Sequence, residues 1–320
     1  MKVFNGHSDI FLKVHEDRLL GRGDSLEEFR EDFKEGEVDA AVLVLYTDEH
    51  AEDPRDYLRE MGKTVARSLG ENAHWITHVK SREDLSAEGP KILVGMEGMR
   101  GLSGAEELYQ WKEELHLAHG SLTWNEKNIF AAGAAVPDRE GGLTPEGRRA
   151  LATMEELGIV VDVSHLNDRS TGEVLRSVHG PVIASHSNPR ALREVARNLP
   201  DDLLKAVADT GGVVGLNSIG SFLGESEGER SLEGFFRHLD YTVNLLGVDH
   251  VGLGFDFTAF LEEYRGILPG EKGFPSAVDL YRESQIPRLL EGMRAMGFYE
   301  GEMEKIAHGN FYRLFSSVLR

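Results

Sequence analysis

Apolar residues along the chain fall into two alternating patterns. Short β-branched runs predict strands at Lys2–Asn5, Ala40–Tyr46, Ile92–Met96, Gly120–Thr123, Ile159–Ser164, Val182–Ser185, Val213–Asn217 and Val251–Phe255. Several are apolar without interruption, the pattern of parallel strands covered on both faces. Between them lie amphipathic, helix-favouring stretches, among them Asp56–Leu69, Thr144–Leu157, Asp201–Asp209 and Leu232–Leu246. Gly158, Gly211 and Gly247 follow three of those helices, where a C-terminal cap residue belongs. Strand and helix in alternation imply parallel pairing with crossover connections. Eight repeats predict a closed (β/α)8 barrel, with residues 1–320 as one catalytic domain. The loop Asn128–Gly142 and the segment Thr258–Ser276 each follow a strand, so each falls over the catalytic face, as a lid or as surface decoration.

Composition narrows the chemistry. There are no cysteines, which excludes disulfides, thiolate metal sites and a cysteine nucleophile. Any metal must be held by His, Asp and Glu. A formal charge of -20 opposes nucleic acid or an anionic membrane as partner. Asp9, Lys13, Glu16, Asp17 and Arg18 interrupt the first 20 residues, leaving no secretory apolar core, and no apolar run reaches bilayer length. The expectation is a cytoplasmic protein acting on a small molecule.

Ligand-type residues stand at the predicted strand ends. Strand 1 runs into His7-Ser8-Asp9, strand 3 ends in Met96-Glu97-Gly98, strand 5 in Asp162-Val163-Ser164-His165, strand 6 in Ser185-His186-Ser187, and strand 8 in Phe255-Asp256-Phe257. Barrel active sites are assembled from separate strands at that end. On an extended segment, positions i and i+2 point to one side, so His7 and Asp9 can chelate one ion. His165 and His186, on adjacent strands, can chelate a second, and Glu97 can bridge the two with its two oxygens. Imidazole with carboxylate suits Zn²⁺, with other divalent first-row ions as alternatives. Two such ions roughly 3.5–4 Å apart activate water and polarise a carbonyl or phosphoryl oxygen. Asp256 then serves as general base and returns the proton to the leaving amine. Each residue alone has a bland reading: a surface histidine, a helix cap, a buried carboxylate with a structural partner. Five strand ends together are what point to chemistry. The other histidines, His119 among them, match no such position.

In order along the chain, Gly6-His7-Ser8-Asp9, Met96-Glu97-Gly98, Gly142-Leu143-Thr144, Ile159 to His165, Ala184-Ser185-His186-Ser187, Arg197-Asn198-Leu199, Gly247 to Gly254 and Gly309-Asn310-Phe311 resemble the membrane (renal) dipeptidase family, peptidase family M19. The resemblance covers nearly the whole chain. It implies two zinc ions on His7, Asp9, Glu97, His165 and His186, hydrolysis of dipeptides with tolerance of a D-residue on the C-terminal side, and often a homodimer. It matches Arg197 to an arginine that binds the substrate carboxylate, a role suited to a guanidinium. It matches Asp256 to an aspartate beside the attacking water.

The chain also departs from the family. Where the dipeptidases carry a substrate-binding histidine after strand 4, this chain reads Leu122-Thr123-Trp124-Asn125. The Trp124 indole only donates; it replaces that donor, fills the pocket and changes the substrate, or merely packs. Asn125 beside it is a further substrate-binding candidate. A second aspartate after strand 8 is replaced, with Phe257-Thr258-Ala259 following Asp256, and the tyrosine-bearing stretch after strand 7 reads Asn217-Ser218-Ile219-Gly220. The expectation is a binuclear zinc hydrolase of dipeptides or of a related carboxylate-bearing amide. Alternatives are a metal-dependent hydrolase of a non-peptide amide, lactone or phosphoester, and a degenerate metal-binding paralogue without catalysis.

Overall fold

The computed structural model describes residues 1–47, 51–264 and 277–320. Its strands are β1 (Val3–Ser8), β2 (Val38–Tyr46), β3 (Thr77–His78), β4 (Lys91–Glu97), β5 (His119–Ser121), β6 (Val160–Asp162), β7 (Val182–Ala184), β8 (Val213–Leu216) and β9 (Val251–Leu253). All pair in parallel, in the order β2-β1-β9-β8-β7-β6-β5-β4. Pairing of β2 with β4, from Ala40↔Lys91 to Tyr46↔Glu97, closes the ring. The expected eight-stranded (β/α)8 barrel is therefore the observed fold. The addition is β3, a two-residue strand alongside Lys91 and Ile92 at the start of β4. Its brevity hides it in the residue pattern.

The predicted helices form where their apolar stripes face the barrel. Asp53 caps Pro54–Glu71 and Thr144 caps Pro145–Leu157, each accepting a backbone N–H of the first turn. Gly158 ends the second of these in the left-handed conformation, φ 65°. The helix Ile10–Leu19 buries every residue from Ile10 to Asp17, polar ones included, because its neighbours wrap it. Lys13 and Asp17 pair within it at 2.9 Å.

The apolar core has two compartments. The larger lies between strands and helices. The smaller collects Phe4, Val42, Val44, Leu93, Val160, Ile183, Val213, Phe311 and Phe315. In register these positions share a face with Glu97, so they fill the barrel's interior. Phe311 enters from the C-terminal helix Asn310–Val318. A Cβ at Gly6 or Gly252 would fall 2.6 Å from its ring, so glycine there makes room for the plug. Burial of one such ring contributes about 1.5–3 kcal/mol. With the interior packed, polar chemistry is confined to the C-terminal end.

The loop Asn128–Gly142 is strapped down. Ala134 N donates to His165 O at 2.7 Å, Ala135 N to Asn125 O at 2.9 Å, and Phe130 is fully buried. It is a fixed wall of the site. In the other long segment, Ala259–Tyr264 forms a 3-10 turn; residues 265–276 lie outside the described residues. Among the described residues no helix is long and apolar enough to cross a membrane.

Candidate active site

Five strand ends converge on one pocket of nitrogen and oxygen atoms. His7 lies within β1, and Asp9 follows it as the residue preceding the helix Ile10–Leu19. His7 Nε2 is 3.9 Å from Asp9 Oδ1, 3.7 Å from Glu97 Oε1 and 3.9 Å from Asp256 Oδ1. Glu97, the last residue of β4, also places Oε1 2.7 Å from His165 Nε2 and 3.4 Å from His186 Nε2. The two imidazoles face each other with their Nε2 atoms 2.9 Å apart. His7 stacks on His186, centroids 3.7 Å apart. His165 and Asp256 adopt left-handed backbone, φ 73° and 57°, two of four non-glycine residues to do so among the described residues. Such conformations cost of order 1–3 kcal/mol and persist where the surroundings hold them.

Protonation tests whether the cluster fits a cation. Burial, reinforced by the other cationic groups nearby, holds His7, His165 and His186 well below the ordinary imidazole value, so all three are neutral. His165 Nδ1 lies 2.9 Å from Asn125 Oδ1, an acceptor, so that nitrogen carries the proton and Nε2 presents a lone pair. His186 Nδ1 lies 2.7 Å from Ser185 Oγ, which itself donates to Asp162 Oδ2 at 2.5 Å. Again Nδ1 carries the proton and Nε2 the lone pair. Two lone pairs thus face each other beside a carboxylate oxygen. Both ring nitrogens of His7 are buried without a hydrogen-bond partner. Burial also pushes Glu97 well up, and the neighbouring Asp9 and Asp256 carboxylates push it further. Asp256 is raised by burial, against the lowering pull of Arg197 and Asn217. Donor atoms cluster as His7, Glu97 and His186, and as His7, Asp9 and Asp256, each set within 4.8 Å. Neutral imidazoles and crowded carboxylates, with no balancing lysine among the described residues, are a divalent-cation site by their donor chemistry.

The remaining candidates line the same pocket. Arg197 sits in the loop after β7, with Nη2 buried and unpartnered and its guanidinium 5.7 Å from the Phe222 ring centroid. Burial lowers its pKa, while Asp256, Glu97 and Asp162 pull the other way. Trp124 lies beside His165, centroids 5.8 Å apart at 29°, and meets Tyr46 edge-on at 5.6 Å. Gly98, φ 76°, permits this approach: a Cβ there would fall 2.7 Å from Trp124 N.

Four residues that sequence reasoning left without a role stand next to these. Asn217 Nδ2 donates to Asp256 Oδ2 at 2.8 Å. Asp162 and Ser185 back His186. His119 is buried beneath the site, its Nδ1 3.8 Å from Asp162 Oδ2. Asp162 and Ser185 were within view in the two histidine motifs. His119 was legible only with the correct start of β5, since it shares a face with Ser121.

A parallel barrel with His and carboxylate donors gathered at its C-terminal mouth defines a metal-dependent hydrolase. The profile of the membrane dipeptidase family (peptidase family M19) matches residues 1–319. The chain belongs to that family and is a metallodipeptidase-type hydrolase. A metallo peptidase from Rhodobacter sphaeroides, solved with a phosphinate mimic of the dipeptide L-Ala-D-Ala, superposes with TM-score 0.85 at 25% identity over 99% of both chains. A family M19 dipeptidase AC gives TM-score 0.85 at 26% identity over 100% of this chain and 99% of its own. Dipeptidase aclJ of Aspergillus oryzae is 30% identical over 228 residues, 71% of this chain but only 51% of its own length.

Proposed function

We propose that the protein hydrolyses dipeptides, L-D dipeptides among them, with two Zn²⁺ ions held by His7, Asp9, Glu97, His165 and His186. The carrying observation is Glu97 Oε1 facing all three imidazoles, beside a second donor set of His7, Asp9 and Asp256 in which we read Asp256 as the base. Support for including L-D dipeptides comes from the Rhodobacter relative and its L-Ala-D-Ala mimic. When bound, such ions polarise the scissile carbonyl and acidify water.

The chain's own residues do the rest. Arg197 pairs its unpartnered guanidinium edge with the substrate's terminal carboxylate. Asn217 engages Asp256 Oδ2, leaving Oδ1 turned toward His7 to accept the attacking water's proton and pass it to the leaving amine. Asn125 fixes the ring of His165 through Oδ1. Trp124 and Tyr46 form an aromatic wall over the donor side of the pocket.

The test is amine release from a panel of L-L and L-D dipeptides after reconstitution with Zn²⁺, with bound metal counted in parallel. Turnover that requires two ions per chain supports the reading. Two bound ions with no turnover of any dipeptide favours a non-peptide amide, lactone or phosphoester, for which Trp124 in place of the family histidine is the specific motive. Absence of turnover on every small substrate leaves the degenerate paralogue.

A further inference from the structure

Behind His186 lies a buried relay with an acid at its far end. Asp162 closes β6, and its Oδ1 accepts two backbone N–H groups, from Ser164 at 2.9 Å and Ser185 at 3.0 Å. That fixes the carboxylate's orientation and aims Oδ2 at the Ser185 hydroxyl, 2.5 Å away. His119, at 3.8 Å from the same oxygen, is beyond direct hydrogen-bond reach and does not compete. Asp162, Ser185 and His186 are each no more than 1% exposed, so no solvent stands in for a missing partner. The hydroxyl has one proton. It goes to the carboxylate at 2.5 Å rather than to Ser164 Oγ at 3.4 Å, so Ser185 Oγ accepts from His186 Nδ1, at 2.7 Å.

We propose that Asp162 and Ser185 are positioning residues that fix the tautomer of His186, placing its proton on Nδ1 and its lone pair on Nε2. The inference rests on His186 being a metal ligand, as proposed above. Of the two facing imidazoles, His165 is oriented by a neutral amide, Asn125, and His186 by a carboxylate acting through a hydroxyl. The His186 ring is thus set by two links in series, the carboxylate taking the serine's proton and the serine oxygen taking the ring's, against a single link at His165. Partners of this kind also raise ligand basicity, and their loss costs metal affinity.

Asp162→Asn tests the direction of the relay. The amide oxygen takes over the two backbone N–H groups, which turns Nδ2 toward Ser185 Oγ. The serine's proton then goes to His186 Nδ1, at 2.7 Å the nearer acceptor than Ser164 Oγ at 3.4 Å, and the ring proton moves to Nε2, the nitrogen needed for the ion. The equivalent aspartate-to-asparagine change in serine-protease triads inverts a histidine in the same sense.

Two measurements decide it. In metal-free protein with ¹⁵N-labelled histidine, wild type should show His186 protonated at Nδ1 and Asp162→Asn should not. By chelator competition, Asp162→Asn and Ser185→Ala should each lose about 10–100-fold in Zn²⁺ affinity, while Ser185→Thr, which keeps the hydroxyl, recovers most of it. Thermal melting establishes that each variant is folded. If Asp162→Asn does not fold, the Ser185→Ala and Ser185→Thr pair carries the test alone. Unchanged Nδ1 protonation and unchanged affinity in folded variants overturn the inference. Failure of wild type to bind Zn²⁺ would instead overturn the proposed function, and the ring-proton measurement would still decide the relay.

Discussion

The two ends of the barrel treat a carboxylate in opposite ways. At the N-terminal end Asp39 meets Lys2 and Lys91 at 2.8 Å and His308 at 3.0 Å. Those three hydrogen bonds hold it well below the usual carboxylate range, although burial opposes them. At the C-terminal end Glu97 meets other carboxylates and neutral imidazoles, and is driven well above that range. The lower carboxylate is satisfied by the chain and holds the barrel together. The upper ones are left short of positive charge, which is the capacity to bind a cation. Glu283 is a third case: buried, with Oε1 unpartnered, but in no cluster of metal-type donors among the described residues. An unpaired carboxyl alone does not make a site; several donors aimed at one point do.

The comparison can be broken at four places, in order of expected effect. Asp256→Asn should reduce kcat by about 10²–10⁴-fold while two ions remain bound, the range for loss of a general base. Equal turnover by the variant would remove Asp256 from its role.

Zinc should stabilise the upper end and leave the lower untouched. At free ion about 1,000 times the dissociation constant, mass action adds about 4 kcal/mol. Glu97→Gln should abolish that gain and the activity together, without destabilising the metal-free protein, because it removes a crowded buried charge. A zinc-induced rise in Tm that survives in Glu97→Gln would contradict the bridging assignment.

Asp39→Asn should do the reverse. It leaves Lys91, 1% exposed, without its carboxylate, and the loss of one partner from a buried pair costs about 3–5 kcal/mol. The zinc-induced increment should be unchanged. Urea unfolding with and without zinc separates the two effects.

Glu283 supplies the smallest effect and a pH signature. Burial raises its pKa to about 7, so between about 4.5 and 7 the folded state holds a proton that the unfolded state has released. Stability therefore falls as pH rises through that window, by at most about 3 kcal/mol at 1.36 kcal/mol per unit. The difference in unfolding free energy between wild type and Glu283→Gln should change across it. A constant difference between pH 5 and pH 8 would show that the carboxyl is not held protonated.

Much of this architecture is legible in residue order. Uninterrupted apolar runs such as Val42–Leu45 require cover on both faces, and alternation with amphipathic helices then leaves few arrangements besides a parallel barrel. Ligand-type residues at five strand ends point to the mouth, because in a barrel the C-terminal strand ends and the loops that follow them gather there. What escapes the pattern depends on contacts distant in sequence. The strand Thr77–His78 is too short to carry a period. Phe311 reads as one more apolar position of an amphipathic helix until Gly6, Gly215 and Gly252 are seen to leave space for its ring.

The same limit applies within the site. Residue types alone name His7, Asp9, Glu97, His165, His186 and Asp256, since few side chains hold a hard or borderline cation. They do not say which nitrogen of His186 is free or which oxygen of Asp256 faces the pocket. The Asp162–Ser185 and Asn217–Asp256 hydrogen bonds decide those points, and each joins residues distant in sequence that only the closed barrel brings together. A lone pair's direction follows from where its partners lie in space, and the chain acquires those partners when it folds.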